Sequence, residues 1–261
     1  MRTALRFLAM AMAAVLLAAP SASAMGIELA LGGWRQEPQG TVAMSAISQS
    51  DVLDVENDMR YDEETRIYGR AKIDMPAFVP NIYLMATPMS FDGTGQKNVD
   101  FKFGDRTFQA GVDFYSKVDL DHFDIALYYG LPFVETATAG VLNLELGLNV
   151  RVVDFEAVVE GTESATGSTV SETESFVLPL PMLYVGAQLR PTGWLALEAE
   201  GRGVAYNGDH VMSFIGRAKV KPLGPLFIAA GWRHEDIDVE EDEVTVDVEI
   251  SGPFAEVGLE F

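Results

Sequence analysis

The chain has 261 residues, no cysteine, and 39 acidic against 18 basic residues, a formal net charge of −21. These figures exclude disulfides, thiolate metal sites and lipid attachment through an N-terminal cysteine, and so strong an acidic excess argues against nucleic acid as a partner.

Arg2 and Arg6 open the chain, and an apolar run over 7–19 follows. Pro20 breaks that run, and Ala22-Ser23-Ala24 fits the small-x-small rule of signal peptidase. The pattern predicts a signal peptide over residues 1–24 and a mature chain over 25–261. A signal anchor is the competing reading, although the run is short for a stable span. Loss of the leader removes two basic residues and no acidic one, so the mature chain is more acidic still. Beyond Met25 no apolar stretch has the length of a membrane-spanning helix, which leaves a closed barrel or a soluble periplasmic protein.

The remaining sequence alternates with period two, the mark of half-buried strands. Ten strands are predicted, at about 26–34, 65–74, 81–89, 117–131, 141–159, 175–190, 194–206, 212–221, 226–239 and 244–261. In the fifth, Leu142, Leu144, Leu146, Leu148 and Val150 take one face, and Asn143, Glu145, Gly147, Asn149 and Arg151 the other. In the seventh, Leu195, Leu197 and Ala199 oppose Ala196, Glu198, Glu200 and Arg202. Prolines mark four short turns, at 76–80, 132–140, 191–193 and 222–225, where no ladder hydrogen bond is needed. The other connections, 35–64, 90–116, 160–174, 207–210 and 240–243, belong to the opposite end. Met44, Ile47, Val52, Leu53 and Val55 lie near helical spacing, which suggests a short helix over the barrel mouth or a disordered loop. Phe101, Phe103, Phe108 and Phe114 suggest a hairpin that extends beyond the wall.

The expected fold class is therefore all-β: a closed antiparallel transmembrane up-and-down β-barrel of about ten strands, with eight strands and one hairpin outside the wall as the alternative. An even count places both termini in the periplasm. With the apolar parity toward lipid, the interior receives Arg66, Arg70, Lys72, Asp124, Glu145, Arg151, Gln188, Arg190, Glu198, Glu200, Arg202, Arg217, Lys219, Arg233, Glu256 and Glu260. Side chains of both signs in so narrow a barrel would fill it with ion pairs; a pore selective for small solutes or ions is the rival. A soluble lipid-carrying barrel would instead turn its apolar face inward. Trp34, Tyr206 and Trp232 at one end and Tyr129, Phe133 and Phe261 at the other suit aromatic girdles.

Chemistry is weakly signalled. His122 shares the inward parity of Asp124, an arrangement open to a base and its orienter, but no serine stands close by and a lumen hydrogen bond accounts for the pair as well. His210 lies in an Asn207-Gly208-Asp209 turn. Glu235, Asp236, Asp238, Glu240, Glu241, Asp242 and Glu243 would attract divalent cations, yet lack the glycine spacing of a calcium loop and read more simply as a solvated hairpin. No catalytic residue, metal site or cofactor is expected, and the chain is expected to be a monomer.

The last strand sets Pro253, Ala255, Val257, Leu259 and Phe261 against Phe254, Glu256, Gly258 and Glu260. It resembles the terminal strand by which barrel-assembly machinery recognises outer-membrane proteins, with Phe261 as the assembly signal. Phe123-Asp124-Ile125-Ala126-Leu127-Tyr128-Tyr129, Leu178-Pro179-Leu180-Pro181-Met182-Leu183-Tyr184, Gly231-Trp232-Arg233 and Ser251-Gly252-Pro253-Phe254 further resemble an uncharacterised family of small bacterial outer-membrane β-barrel proteins. That resemblance spans most of the mature chain. It implies a barrel in the outer membrane of a Gram-negative cell and carries no reaction. The expected role of such a barrel, in contact with outer-membrane lipid and lipopolysaccharide, is structural or surface-interaction.

Overall fold

The computed structural model describes residues 26–261, apart from 45, 47, 77, 242 and 243. The signal-peptide expectation for 1–24, and those resting on Ile47, Asp242 and Glu243, lie outside the described residues.

The strands are β1 (Ile27–Met44), β2 (Leu53–Asp54), β3 (Glu64–Ile73), β4 (Asn81–Thr87), β5 (Ser90–Gln96), β6 (Phe101–Phe103), β7 (Arg106–Phe108), β8 (Asp113–Gly130), β9 (Leu142–Thr162), β10 (Thr169–Thr192), β11 (Leu195–Tyr206), β12 (Asp209–Leu223), β13 (Leu226–Glu241) and β14 (Val244–Glu260). One short helix, α1 (Pro132–Ala137), joins β8 to β9. β4 and β5 form a single wall strand interrupted at Pro88, since both pair with β8. The wall is thus a ten-stranded antiparallel barrel. It closes between β1 and β14, with Leu29 opposite Leu259 and Trp34 opposite Phe254. The eight-stranded alternative fails because the β6–β7 hairpin is additional to the ten wall strands.

Closure explains how a chain with so few long apolar segments holds together: every wall strand gains two neighbours, and no edge is left along the seam. The apolar parity points outward. Ile67, Leu127, Leu148, Leu183, Phe214 and Ile228 all stand exposed on the outer face and form a belt. On the inner face glycines let rings lie flat on the backbone: a Cβ on Gly32 would meet the Tyr68 ring at 2.6 Å, and one on Gly258 the Phe227 ring at 2.3 Å. The lower end, with the first described residue and Phe261, carries the short connections, including α1 and the Gly193-Trp194 and Gly224-Pro225 turns. At the upper end, Asn207 and Gly208 both take positive φ, as a two-residue hairpin turn requires.

Several expectations about the upper end need correction. The polar tract 160–174 is mostly strand, paired from Thr169 opposite Thr162 downward, with only 163–168 left to turn. β1 continues to Met44, well beyond the expected end at Trp34. In place of a helix, Val42 pairs with Leu53 in β2, next to a single 3-10 turn at Gln49–Asp51. Segment 90–116 contributes β5 and the start of β8 to the wall, and its β6–β7 hairpin folds inward with Phe101, Phe103, Phe108 and Phe114 buried. With Leu53, Met59 and Phe91 they make an apolar plug in the upper barrel.

Candidate functional site

Below the plug the inner parity carries charge. Six carboxylates, Glu28, Glu145, Glu198, Glu200, Glu256 and, toward the lower rim, Glu260, meet six cations, Arg70, Lys72, Arg202, Arg217, Lys219 and Lys221. Arg70 reaches Glu28 at 2.5 Å and Glu256 at 2.6 Å. Lys72 lies 3.3 Å from Glu145 and 3.4 Å from Glu200. Arg217 spans Glu198, Glu200 and Glu256. Lys219 contacts Glu28 at 2.9 Å, Glu198 at 2.6 Å and Glu260 at 3.1 Å. Gln188 donates to Glu198 at 2.6 Å. Such pairs are tolerated in a dry interior only because each charge has a partner; their desolvation cost offsets much of the Coulombic gain.

Rings complete the layer. Tyr68 donates to Glu256 at 2.8 Å and Tyr184 to Glu145 at 2.7 Å. The Arg202 guanidinium, 3.2 Å from Glu200, lies 4.7 Å from the Tyr83 ring centroid and 5.3 Å from that of Tyr184. A second, smaller set sits above. Arg151 bonds Asp124 at 3.0 Å and Glu235 at 2.7 Å, and Arg233 bonds Glu235 at 2.6 Å. Asn149 donates to Asp124 at 2.7 Å.

Of the residues that parity placed inside, two lie at the margins. Arg66 is half-buried near the upper end and donates to the Ser90 carbonyl at 2.7 Å. Arg190 is exposed at the lower rim, where the β10–β11 register shifts after Leu189, so it does not join the packed interior. Two residues assigned elsewhere are interior. Trp34 belongs to no girdle: it is fully buried, its Nε1–H donates to the Gly252 carbonyl at 3.2 Å, and Arg233 lies 4.4 Å from its ring centroid. The extension of β1 places it mid-strand. Glu235 is not part of a solvated acidic hairpin, because β13 runs on to Glu241 and leaves it well below the turn. Tyr68, Tyr83, Tyr128 and Tyr184 are interior residues missed by inspection of charge alone, although their parity was the available signal; Glu28 is a further interior residue absent from the expected set.

The histidines follow different logic. His122 Nε2 is 3.8 Å from Asp124, too long for a hydrogen bond, and instead accepts from Arg233 Nη2 at 3.1 Å. Its Nδ1 faces the Leu120 carbonyl at 3.3 Å. Asp124 therefore does not orient His122, and the free lone pair a base needs is engaged by a guanidinium. His210 stands at the upper end with Asp236 at 3.0 Å and Asp238 at 3.8 Å, and the Asp236 hydrogen bond raises its pKa above the ordinary value. Among the described residues no three such donors converge as a metal site.

Neither a family model nor a curated protein matches the chain. Solved structures do. The outer-membrane protease OmpT from Escherichia coli is 11% identical over 94% of this chain and 99% of its own, with a TM-score of 0.56. The translocator domain of the autotransporter NalP from Neisseria meningitidis is 10% identical over 100% of this chain and 96% of its own, with a TM-score of 0.47. Neisserial surface protein A is 11% identical over 93% and 100%, with a TM-score of 0.32. At such identities only the first likeness bears on the fold, and on nothing further. The chain is a closed ten-stranded antiparallel barrel, similar in architecture to that outer-membrane protein.

Proposed function

We propose that this chain is an outer-membrane β-barrel with a closed interior and a structural or surface-interaction role. The exposed belt supports membrane insertion, since so continuous an apolar face calls for lipid rather than water. Aromatic rings at its margins fit the same reading: Tyr129, Phe133, Trp194 and Phe261 below, Trp232 above. The lower end then faces the periplasm and the upper end the exterior, with outer-membrane lipid and lipopolysaccharide around the belt. The closing strand would be read by the barrel-assembly machinery through Phe261, whose backbone N–H reaches the Ile27 carbonyl at 2.9 Å across the seam.

One observation carries the closed-interior reading: the charge layer pairs its carboxylates and cations internally, beneath an apolar plug. Because that layer is balanced, the acidic excess of the chain resides outside it. Asp154, Glu156, Glu160, Asp247 and Glu249 all stand exposed on upper strands, a surface suited to basic or cation-bridged partners. Planar-bilayer recording tests the proposal. The purified barrel is expected to give no steady unitary current; a steady current whose ion selectivity shifts in Glu256→Gln would establish the pore instead.

A further inference from the structure

The wall is uneven in height. β10 pairs with β9 from Thr169 to Leu189, but with β11 only from Leu183 downward. The β11–β12 hairpin turns at Asn207-Gly208, whereas β13 runs on to Glu241. Above Leu183, β10 therefore has no neighbour on its β11 side among the described residues, and a notch opens above the β11–β12 turn. Pro179 and Pro181 lie along this edge, the place where a strand tolerates residues without an N–H.

Behind the notch is an open-sided chamber walled by Leu120, Phe155, Phe176, Leu178, Leu180 and Ile237, with a cavity of about 110 Å³. An apolar cavity of this order stays dry and takes in apolar groups about the size of benzene, a few methylenes of an alkyl chain. Phe176 and Leu178 share the inner parity of Met182 and Tyr184, yet each is 43% exposed, so the chamber opens beside them. Its floor is formed by His122, Arg151 and Glu235, which are already engaged with Arg233, Asp124 and one another. The floor offers no free charge to a headgroup. Phe91 and Phe103 close the space above, in a second apolar cavity that shares Leu120 and Phe155 with the first. Outside, the apolar surface runs from Val185 and Leu183 up to Val177, at the side of the notch.

We propose that the chamber binds the hydrocarbon chain of an outer-leaflet lipid, which enters sideways through the notch between β10 and the β11–β12 turn. Access from the side follows from the plug above and the charge layer below. Selection of an alkyl chain follows from the apolar walls, and supply from the bilayer follows from the continuity of the notch with the belt.

The inference rests on membrane insertion, and the experiment separates the two. The chain has no cysteine, so Leu148→Cys on the belt and Ile237→Cys in the chamber each carry one fluorophore after reconstitution in phosphatidylcholine vesicles. The outer face beside Ile237 holds His210, Asp236 and Asp238, which keeps lipid tails outside the barrel away from it. Phosphatidylcholine with a nitroxide near the chain end should quench both labels, the Ile237 label more strongly than a headgroup nitroxide does. Leu178→Arg in the Ile237→Cys background should reduce that quenching severalfold while heat-modifiable gel migration is retained. If Leu148 is quenched and Ile237 is not, the lipid site is overturned and insertion stands. If a nitroxide fatty acid added from water quenches Ile237 and the phospholipid does not, the bilayer source is overturned. If Leu148 itself is not quenched, insertion fails and the lipid site with it.

Discussion

Arg217→Met is expected to destabilise the barrel by about 3–5 kcal/mol, the cost of leaving buried charges without their partner. Arg217 is 5% exposed and serves three carboxylates at once, with Glu198 and Glu256 each 3.3 Å away and Glu200 also in contact. Methionine fills comparable space but leaves the layer one positive charge short: Glu198 keeps Lys219, Glu200 keeps Lys72 and Arg202, and Glu256 keeps only Arg70 and the Tyr68 hydroxyl. Urea unfolding in vesicles, followed by the loss of the fast-migrating folded form on gels, measures the effect. Adding Glu256→Gln should recover part of the loss, since it removes one of the uncompensated charges. A loss below about 1 kcal/mol would mean that water reaches the layer and screens it.

The second large effect concerns the other face. Leu148 is 67% exposed and lies between Leu127 and Leu183 on the neighbouring strands. In water, an arginine at so open a position would change stability within about ±0.5 kcal/mol. In a bilayer, Leu148→Arg is expected to cost about 2–4 kcal/mol if the position is near the midplane. Ser175→Arg, exposed on the upper part of β10, should be nearly neutral in the same assay. Equal, small effects at both positions would argue against a lipid-covered belt.

The wall was legible in the sequence where one face meets the belt and the other the charge layer. β9 and β11 show this best: parity alone separates Leu146 and Leu148 from Glu145 and Arg151, and Leu197 from Glu198 and Glu200. Above the belt the rule dissolves, because both faces of a strand can be polar. The tract 160–174 looks like loop for that reason, and is strand only because Thr169 to Ser175 find partners on β9. Glu235 was hidden in an acidic run whose depth below the turn is fixed by its pairing with Ile250 on β14, a long-range fact. Glu28 was hidden otherwise: its inward neighbours Ala30 and Gly32 are small, so the first strand shows no charged face. The notch had no local signal beyond Pro179 and Pro181, since it arises from unequal hairpin heights.

The central claim is that the apolar parity faces lipid and the charged parity faces inward, and cell fractionation tests it most directly. The protein should be recovered with the outer membrane, released only by detergent, and should migrate faster on gels before boiling than after. Recovery as a monodisperse protein in the soluble periplasmic fraction, with migration unaffected by heat, would contradict it.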